Sequence, residues 1–508
     1  MADPCTISEL LAAGNPSSVA IRALDARPLT YASLRDQVER TIAALNGFGI
    51  GRDDRVAIVL PNGPEMAVAF VAIAAGATAA PLNPAYRDEE FAFYLSDLGA
   101  KALLVERGGA SPALGVAARL GIRVLELEPT PGLGAGAFAL ASAPKAPGEG
   151  TSGGFAQADD VALILHTSGT TSRPKIVPLS QRNVIASARA IRATLGLTPE
   201  DCGLAIMPLF HIHGLMAGLL APLAAGSRVF CTTGFNALRF FAWMGEARPT
   251  WYTAVPTMHQ AILSRAAPNR EVIASNPLRF LRSSSSSMPP QLIQELEATF
   301  GAPLIESYGM TEASHQMASN PLPPGKRVPG AVGVAAGPEV AIMDERGDLL
   351  PPGRTGEIVI RGENVTLGYE NNPEANAAAF TNGWFRTGDQ GVMSEDGYLS
   401  ITGRLKEIIN RGGEKISPRE VDEVLMDHPA IEQVVTFAVP HVKLGEDVAA
   451  AVVLREGASL TEKEVREFAA RRLADFKVPR KVLFLPEIPK GATGKLQRIG
   501  LAAKLGLT

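Results

Sequence analysis

The chain has 508 residues, of which 46% are hydrophobic and 20% are charged, and its formal net charge is −4. The length exceeds what a single hydrophobic core usually supports, and the composition excludes a disordered chain. Because basic residues are not in excess, neither nucleic acid nor an anionic membrane surface is expected as the main partner. We therefore predict a globular protein of two or more domains.

The first part of the chain alternates short β-branched segments with longer helical patterns, which is typical of α/β units with largely parallel sheets. Predicted strands are RVAIVLP (55–61), KALLVE (101–106) and IRVLELE (122–128), and a predicted helix is EEFAFYLSDLGA (89–100). The Ala-rich segment 66–82 is too short for a membrane span and predicts a buried helix that leads into a strand. The Gly/Ala/Pro/Ser-rich interval 129–154 predicts a surface connection.

Two further patterns of predicted secondary structure follow along the chain. Short strands with turn signals begin at about Glu339 and predict a small β-rich subdomain. After GRLKEIINRGGEKISP (403–418), amphipathic helices at 419–427 and 461–473 flank strands at 434–439 and 449–454. This pattern predicts a compact α+β domain at the C-terminus. The fold class is therefore α/β, with a large N-terminal domain and a small C-terminal one.

The three cysteines, Cys5, Cys202 and Cys231, are far apart, which argues against a disulfide framework or a zinc site. For Cys202 and Cys231 we expect packing in strands or in the core rather than catalysis. The N-terminal residues lack the basic start and apolar run of a signal peptide, and the final KLGLT is not a peroxisomal signal. A cytoplasmic location is expected.

A loop rich in hydroxyl groups, HTSGTTSRPK (166–175), follows the apolar segment DDVALIL. Small hydroxyl residues and Gly169 allow the backbone to approach an anion, while Arg173 and Lys175 add charged donors suited to phosphate. The loop is not a Walker A motif, because G-x-x-x-x-G-K-[ST] does not occur. The segment therefore predicts a phosphate-binding loop rather than a polar linker.

This loop resembles the phosphate loop of the adenylate-forming enzymes, which include acyl- and aryl-CoA synthetases, peptide-synthetase adenylation domains and firefly luciferase. Further motifs of that family occur in order over nearly the whole chain: PLFHIHGL (208–215), ESYGMTE (306–312), WFRTGD (384–389), GRLKEIINRGGEKISP (403–418) and PKGATGK (489–495). In two positions the chain departs from the family, with Ser172 and Ile176 where most relatives have glycine. A β-branched Ile176 disfavours positive φ, so the exit of the loop should be extended.

The resemblance implies an N-terminal AMP-binding domain at 1–404, which includes the β-rich subdomain at about 335–404. It also implies a mobile C-terminal lid domain at 405–508 with a hinge near Lys406. The implied reaction activates a carboxylic acid with ATP and Mg²⁺, releases pyrophosphate, and passes the acyl group to coenzyme A. Both reactants of the first step are anions, so catalysis requires positioning and cations.

The resemblance also assigns roles to residues of the nucleotide site. Glu312 is implied to hold Mg²⁺, Thr311 to bind a phosphate oxygen, and Tyr308 to stack on adenine. Asp389 is implied to accept both ribose hydroxyls, with Arg404 donating to the same sugar. The remaining implied ATP- or AMP-binding residues are Thr167, Ser168, Gly169, Thr170, Thr171, Lys175, Ser285, Glu306 and Ser307.

In the C-terminal domain, Lys495 is the residue implied to bind the substrate carboxylate and an α-phosphate oxygen. It is therefore expected to be catalytic, together with His211 and Glu312. Rotation about Lys406 is implied to present Gly412 and Gly413 to the pantetheine arm of coenzyme A. In bacterial relatives the matching lysine is acetylated, which makes a protein lysine acetyltransferase an expected partner.

The acid is expected beside His211, the serine run at 283–287 and the polar segment TEASHQMASNP (311–321). A long acyl chain would leave polar donors there unpaired, at roughly 1–3 kcal/mol each. A second carboxylate would pair with them. Four segments resemble the oxalyl-CoA synthetases most: LHTSGTTSRPK, PLFHIHGL, TWYTAVPTMHQ and YGMTEASHQMASNPLPP. This resemblance implies that His211, Ser285 and His315 bind oxalate. For His213, packing or a hydrogen bond to backbone is the preferred interpretation.

Other functions stay open at this point. A CoA ligase for another small, medium-chain fatty or aromatic acid, such as malonate or a coumarate-type acid, has the same motifs. A luciferase-like oxygenase would need a bulky apolar pocket, and a peptide-synthetase partner would need an Asp for the amino group; neither is evident. A non-catalytic binding protein is disfavoured because Lys175, Glu312, Asp389, Arg404 and Lys495 are all present.

Overall fold

The structure is a computed structural model that describes residues 3–142, 152–167, 174–489 and 498–507. Packing divides the chain into two units. The first unit contains the described residues of Met1–Ser168, Pro174–Val340 and Ile360–Phe380. The second contains those of Ala341–Val359 and Thr381–Thr508. The predicted hinge near Lys406 and the predicted boundary after Arg404 stay predictions.

Two large sheets form the framework of the first unit. One has seven strands in the order Phe138–Ser142, Arg123–Pro129, Ala102–Glu106, Arg55–Val59, Thr78–Pro81, Val161–Thr167 and Lys175–Ser180. The other has nine, in the order Val334–Ala335, His315–Ser319, Leu304–Met310, Phe280–Ser283, Trp251–Ala254, Cys202–Ala205, Arg228–Cys231, Val19–Ala23 and Leu29–Thr30. The central strands of both sheets pair in parallel, as the alternation of strands and helices predicts.

Helices pack on these sheets. Those of the first unit are Ile7–Leu10, Tyr31–Gly47, Pro64–Ala74, Asp88–Leu98, Pro112–Leu120, Gln181–Thr194, Ala221–Ala224, Phe240–Ala247, Pro256–Leu263, Arg270–Ser275, Pro290–Phe300 and Pro373–Ala379. The Ala-rich segment is a helix of which nine residues are buried, followed by the buried strand Thr78–Pro81, as predicted. Cys202 and Cys231 lie in buried strands, also as predicted. In the described part of the chain, no helix combines the length and apolarity needed to cross a membrane.

The interval 129–154 differs from its predicted surface connection in its first half. Phe138–Ser142 forms an antiparallel edge strand against Arg123–Pro129, and Ala135, Ala137 and Phe138 are buried. The prediction was wrong there because it weighed Gly and Pro content above the alternating apolar residues of FALAS. Residues 143–151 of the interval lie outside the described part.

Two further sheets have five strands each, and all their residues belong to the second unit except 339–340, 360–361 and 380 of the first sheet. The first runs Glu339–Met343, Thr355–Arg361, Trp384–Met393 and Phe380–Thr381, with Leu399–Arg404 paired to Trp384–Met393. The second runs Glu414–Ile416, Ile409–Arg411, Gly445–Leu454 and Ile431–His441, with Lys481–Phe484 paired to Gly445–Leu454. Helices Pro418–Met426, Glu462–Ala470 and Leu501–Lys504 complete the second unit. The predicted β-rich segment and the predicted mixture of helices and strands after it are both present.

Candidate active site

The predicted phosphate loop is carried by a tight antiparallel pair of strands. Val161–Thr167 pairs with Lys175–Ser180, and Thr167 lies directly opposite Lys175. Ile176 is buried and extended in the second strand, as its β-branched side chain predicts. The predicted contacts of Ser168, Gly169, Thr170 and Thr171 lie outside the described residues. The two ends of the loop are therefore held together by the strand pair itself.

Lys175 and Glu312, which are 137 positions apart in the sequence, both contact Tyr369. The Lys175 ammonium lies 4.2 Å from the centroid of the Tyr369 ring, within cation–π range. The Tyr369 hydroxyl donates a hydrogen bond of 2.8 Å to Glu312 Oε1. Burial, with a smaller contribution from the Glu312 charge, raises the pKa of Tyr369, so the hydroxyl stays protonated and remains a donor.

Glu312 has a fixed backbone as well as a fixed side chain. It lies in the 3₁₀ turn Thr311–Ala313 that follows the strand Leu304–Met310, and it is 6% exposed. Its carbonyl accepts a 2.7 Å hydrogen bond from the backbone N–H of Thr366. A single buried carboxylate that Tyr369 connects to Lys175 fits Mg²⁺, which is usually held by one or two carboxylates plus substrate phosphates. Among the described residues no cluster of three or more acidic, His or Cys side chains that could hold a metal ion occurs.

The strand that ends at Met310 carries the residues predicted to contact the nucleotide. Glu306, Ser307 and Tyr308 are all buried on it, and Thr311 lies in the turn that follows. Ser307 Oγ donates to the Ser283 carbonyl at 3.2 Å. In return Ser284 Oγ donates to the Ser307 carbonyl at 3.1 Å. The serine run and the ESYGMTE motif are thus joined side by side, which supports a pocket wall rather than a linker.

The part of the site that is predicted to bind the carboxylic acid, called the acid end, has strained backbone. Ser285, Ser314 and His315 have φ values of 74°, 48° and 92°, which are unusual for residues with a Cβ. His315 begins the strand His315–Ser319, and its carbonyl would lie 1.7 Å from a Cβ placed on Gly309. Gly309 is therefore required for this close approach. Such strain concentrates at functional sites when the surrounding structure maintains it.

A buried arginine connects the predicted histidines. Arg282 is 0% exposed on the strand Phe280–Ser283. One terminal nitrogen donates to His213 Nε2 at 3.3 Å and to Thr253 Oγ1 at 3.2 Å. The other donates to His315 Nε2 and to Gln316 Oε1, both at 3.2 Å. No carboxylate lies within ion-pair distance of Arg282 among the described residues, and burial lowers its pKa to about 9.

The two histidines stack on each other, with ring centroids 4.7 Å apart. His213 also bonds Ser285 Oγ at 3.1 Å through Nδ1 and Thr253 Oγ1 at 2.6 Å through Nε2. His213 is fully buried, in agreement with the predicted core packing, and these described hydrogen bonds go to side chains. His211 lies two residues earlier, partly buried, ahead of the π-helix Gly214–Leu220. π-Helical segments are frequent at functional sites.

In the second unit, Asp389 and Arg404 face each other across two strands. They are directly paired in the antiparallel register of Trp384–Met393 and Leu399–Arg404, and Arg404 Nε lies 3.2 Å from Asp389 Oδ1. Asp389 is 7% exposed, whereas 56% of the Arg404 side chain is exposed. One carboxylate and one guanidinium are thus adjacent, as the predicted contact of both with one sugar requires.

The predicted coenzyme A contacts lie in turns of the second unit. Gly412 and Gly413 form a two-residue hairpin turn between Arg411 and Glu414, with φ values of 62° and 101°. Both values favour glycine, as a type I′ turn requires. Lys406 is exposed in the turn after Leu399–Arg404. Lys495 lies outside the described residues.

Sequence reasoning missed two residues that connect the others. Arg282 directly precedes the serine run, and a charged residue inside the apolar strand LRFLRS was the available signal. Tyr369 lies 57 residues after Glu312, in a segment without a recognisable motif. Only the tertiary contacts identify it.

Comparisons with known proteins show the family to which the chain belongs. The AMP-binding enzyme family matches residues 9–370, and the AMP-binding enzyme C-terminal domain matches residues 420–495. The oxalate–CoA ligase of Arabidopsis thaliana is 47% identical over 488 residues, which are 92% of each chain. The oxalate–CoA ligase of Saccharomyces cerevisiae is 44% identical over 476 residues, which are 88% of this chain and 86% of the yeast protein.

A solved structure, ATP-bound MatB from Rhodopseudomonas palustris, has a TM-score of 0.88 and 31% identity and covers 98% of both chains. This match confirms the predicted adenylate-forming fold. Together with the family matches, it also confirms the resemblance that the motifs indicated. The chain therefore belongs to the AMP-binding enzyme family.

Proposed function

We propose that this enzyme activates oxalate and transfers the oxalyl group to coenzyme A. It is an ATP-dependent acid–CoA ligase of the AMP-forming class, with ATP and coenzyme A as co-substrates and Mg²⁺ as the metal. In the first step one oxalate oxygen attacks the α-phosphorus of ATP, and the bond to the pyrophosphate leaving group breaks. In the second step the thiolate sulfur of coenzyme A attacks the oxalyl carbon, and AMP leaves.

Described residues of the first unit account for the charge of the first step. Glu312 would hold Mg²⁺, which would neutralise phosphate charge when bound. Lys175, at the exit of the phosphate loop, supplies a fixed ammonium group for the same phosphates. Tyr369 positions both side chains through its ring and its hydroxyl. The roles of Thr167, Glu306, Ser307, Tyr308 and Thr311 in nucleotide binding remain part of this proposal.

The observation that supports oxalate is the polar, cationic character of the acid end. Arg282 is buried without a carboxylate partner among the described residues. It hydrogen-bonds His213 and His315, and His213 in turn hydrogen-bonds Ser285. An apolar acyl chain would supply no counter-charge for Arg282, whereas a small dianion supplies the missing negative charge. The names of the two plant and yeast relatives support the same acid. We therefore assign acid binding to His211, Ser285 and His315.

A panel of acids tests the proposal. AMP release is measured with ATP and coenzyme A for oxalate, malonate, acetate, octanoate and coumarate. We expect oxalate to have the highest kcat/KM, exceeding octanoate at least ~100-fold, because unpaired polar groups penalise the long chain. An oxalate rate far below that of octanoate would overturn the assignment. Malonate above oxalate would instead make the enzyme a malonate–CoA ligase.

The serine run provides a matched pair of variants. Ser285→Ala should raise KM for oxalate by about 5- to 10-fold, as expected for one lost hydrogen bond. Ser287→Ala changes an exposed hydroxyl two residues away and should leave KM unchanged. Equal effects of both substitutions would place the acid elsewhere.

We further propose that residues 405–508 rotate about Lys406 between the two steps, so that Lys495 acts in adenylation and Gly412 and Gly413 approach pantetheine in thioester formation. Asp389 and Arg404 would bind ribose.

Acetylation of Lys495 by a protein lysine acetyltransferase would remove its charge and stop adenylation. Mass spectrometry of the native protein tests this; an unmodified Lys495 under all growth conditions would contradict it. A cytoplasmic location, supported by three scattered cysteines without a disulfide, completes the proposal.

A further inference from the structure

Arg282 differs from an ordinary buried cation in the nature of its partners. All four of its described hydrogen bonds go to neutral side chains, two of which are imidazole rings. A guanidinium group has only donors, so each ring nitrogen that it contacts must be an acceptor. Nε2 of His213 and Nε2 of His315 therefore carry no proton.

This contact also sets the protonation state of both rings. A protonated imidazolium would place an N–H against the guanidinium N–H and a second positive charge beside the first. Both rings are therefore neutral, and in a neutral ring with Nε2 as acceptor the proton is on Nδ1. The Thr253 hydroxyl is compatible with this assignment for His213, because its oxygen accepts from Arg282 at 3.2 Å and its O–H can donate to the same Nε2, 2.6 Å away.

The consequence extends to Ser285. The Nδ1–H of His213 donates to Ser285 Oγ at 3.1 Å, which occupies an acceptor site of that hydroxyl and leaves its O–H to donate. Ser285 is held at a φ of 74°, so its position depends on the surrounding structure. Gln316 is fixed in turn by bonds from its amide nitrogen to the Ala336 carbonyl at 2.8 Å and to Thr194 Oγ1 at 3.1 Å. Its oxygen consequently faces Arg282.

We propose that Arg282 is a positioning residue that determines acid specificity by holding His213 and His315 in their Nδ1–H tautomers. In this state Ser285 O–H and His315 Nδ1–H are both donors, and Arg282 contributes an uncompensated positive charge behind them. Such a site accepts a group that has only acceptors and carries negative charge, as the second carboxylate of a dianion does. Arg282 acts through the histidines and Ser285, and no direct contact with the acid is required.

The proposal assumes the oxalate activity proposed above, so its test compares acids in variants of an enzyme whose wild type has already passed the acid panel. We expect Arg282→Gln to raise KM for oxalate by at least about 30-fold, the effect of truncating a buried charged partner. The kcat for oxalate and the kcat/KM for acetate should change less than about threefold, because acetate has no second carboxylate. Arg282→Lys keeps the charge but has one donor atom, so it should recover only part of the loss.

Arg279→Met is the matched control. Arg279 directly precedes the same strand in the same unit, but it pairs with the carboxylate of Asp201. Its loss should affect stability without changing the ratio of kcat/KM for oxalate and acetate. A folded Arg282→Gln enzyme with wild-type KM for oxalate would overturn the proposal while leaving the oxalate assignment intact. A wild-type enzyme that prefers octanoate would instead remove the proposed function itself.

A second measurement observes the wild-type enzyme and does not depend on the folding of the Arg282 variants. The chain has seven histidines, so selective ¹⁵N labelling gives a tractable NMR spectrum, assigned with His213→Gln and His315→Gln. We expect both rings to be neutral with the proton on Nδ1 at neutral pH. An Nε2–H tautomer or a charged ring at either position would contradict the proposed role of Arg282.

Discussion

Two arginines, one in each unit, illustrate different uses of a cation that is fully buried (Arg282) or partly buried (Arg498). Among the described residues, the hydrogen bonds of the Arg282 side chain in the first unit go to histidine, threonine and glutamine side chains, and burial lowers its pKa to about 9. Arg498 in the second unit pairs with two carboxylates, Asp422 and Glu407, the latter at 3.2 Å. Burial alone would lower the pKa of Arg498, but the charges and hydrogen bonds of these carboxylates raise it above its usual value.

The difference separates a structural charge from a functional one. The positive charge of Arg498 is compensated within the protein, so it ties the chain after Lys495 to the helix Pro418–Met426 and to the turn that contains Lys406. The charge of Arg282 lacks a carboxylate partner in the described residues, so an anionic ligand gains from approaching it. Partners rather than burial therefore distinguish the two roles. The following predictions test this comparison, from the largest expected effect to the smallest.

Lys495→Ala should have the largest effect on activity. The lost ammonium group is expected to slow adenylation by about 10²–10³-fold or more, because a preorganised charge at the reacting phosphate is removed. Thioester formation from supplied oxalyl-adenylate should continue at nearly the wild-type rate. Single-turnover assays of each half-reaction measure this. Equal loss in both steps would show that Lys495 is not specific to adenylation.

Arg498→Met should chiefly affect stability. Removal of the cation leaves Asp422 and Glu407 partly buried without it, at a cost of about 3 kcal/mol in the free energy of unfolding of the second unit. Denaturant unfolding monitored in that unit measures the loss. Arg282→Met provides the contrast, since it leaves no buried anion and should cost less. A larger loss for Arg282→Met would reverse the comparison.

His259 should make the neighbourhood of Arg282 sensitive to acid. It is fully buried, bonds the Arg282 carbonyl at 3.1 Å through Nε2, and burial lowers its pKa to about 4. Below the unfolded-state pKa of about 6.5 the unfolded chain binds a proton that the folded chain does not bind until about pH 4. Stability should therefore fall by about 2 kcal/mol between pH 7 and pH 5 from this group alone.

The measurement is the free energy of unfolding as a function of pH. His259→Gln, which cannot titrate, should flatten the curve over this interval although it lowers stability at pH 7. An unchanged slope in the variant would assign the acid sensitivity to other groups.

Gly413→Ala should have the smallest effect. A Cβ at a φ of 101° strains the hairpin turn by about 1–2 kcal/mol, although no described atom lies within 4 Å of it. We expect KM for coenzyme A to rise several-fold while adenylation is unchanged. Gly457→Ala, at a φ of 77° in another open turn of the same unit, is the control and should leave both steps unaffected.

Many residues of the candidate site could be predicted because they belong to short motifs of contiguous residues. The strand pair that positions Thr167 opposite Lys175, the glycine turn at 412–413 and the pairing of Asp389 with Arg404 all follow motifs that can be read along the chain. The burial of Ile176 also follows from its side chain. The role of His213 was harder to predict, because its partners Thr253 and Ser285 are 40 and 72 positions away.

The sequence by itself therefore determined the α/β class, the family, the phosphate loop and the identity of most candidate site residues, since these depend on composition, periodicity and short motifs. Tertiary structure alone decided that Tyr369 joins Lys175 to Glu312 and that Arg282 bonds two histidines. It also decided that Arg498 has carboxylate partners and that Arg282 has none in the described chain. The physical reason is that pKa, tautomer and charge compensation depend on atoms within a few ångströms in space, and the fold brings those atoms together from distant parts of the chain.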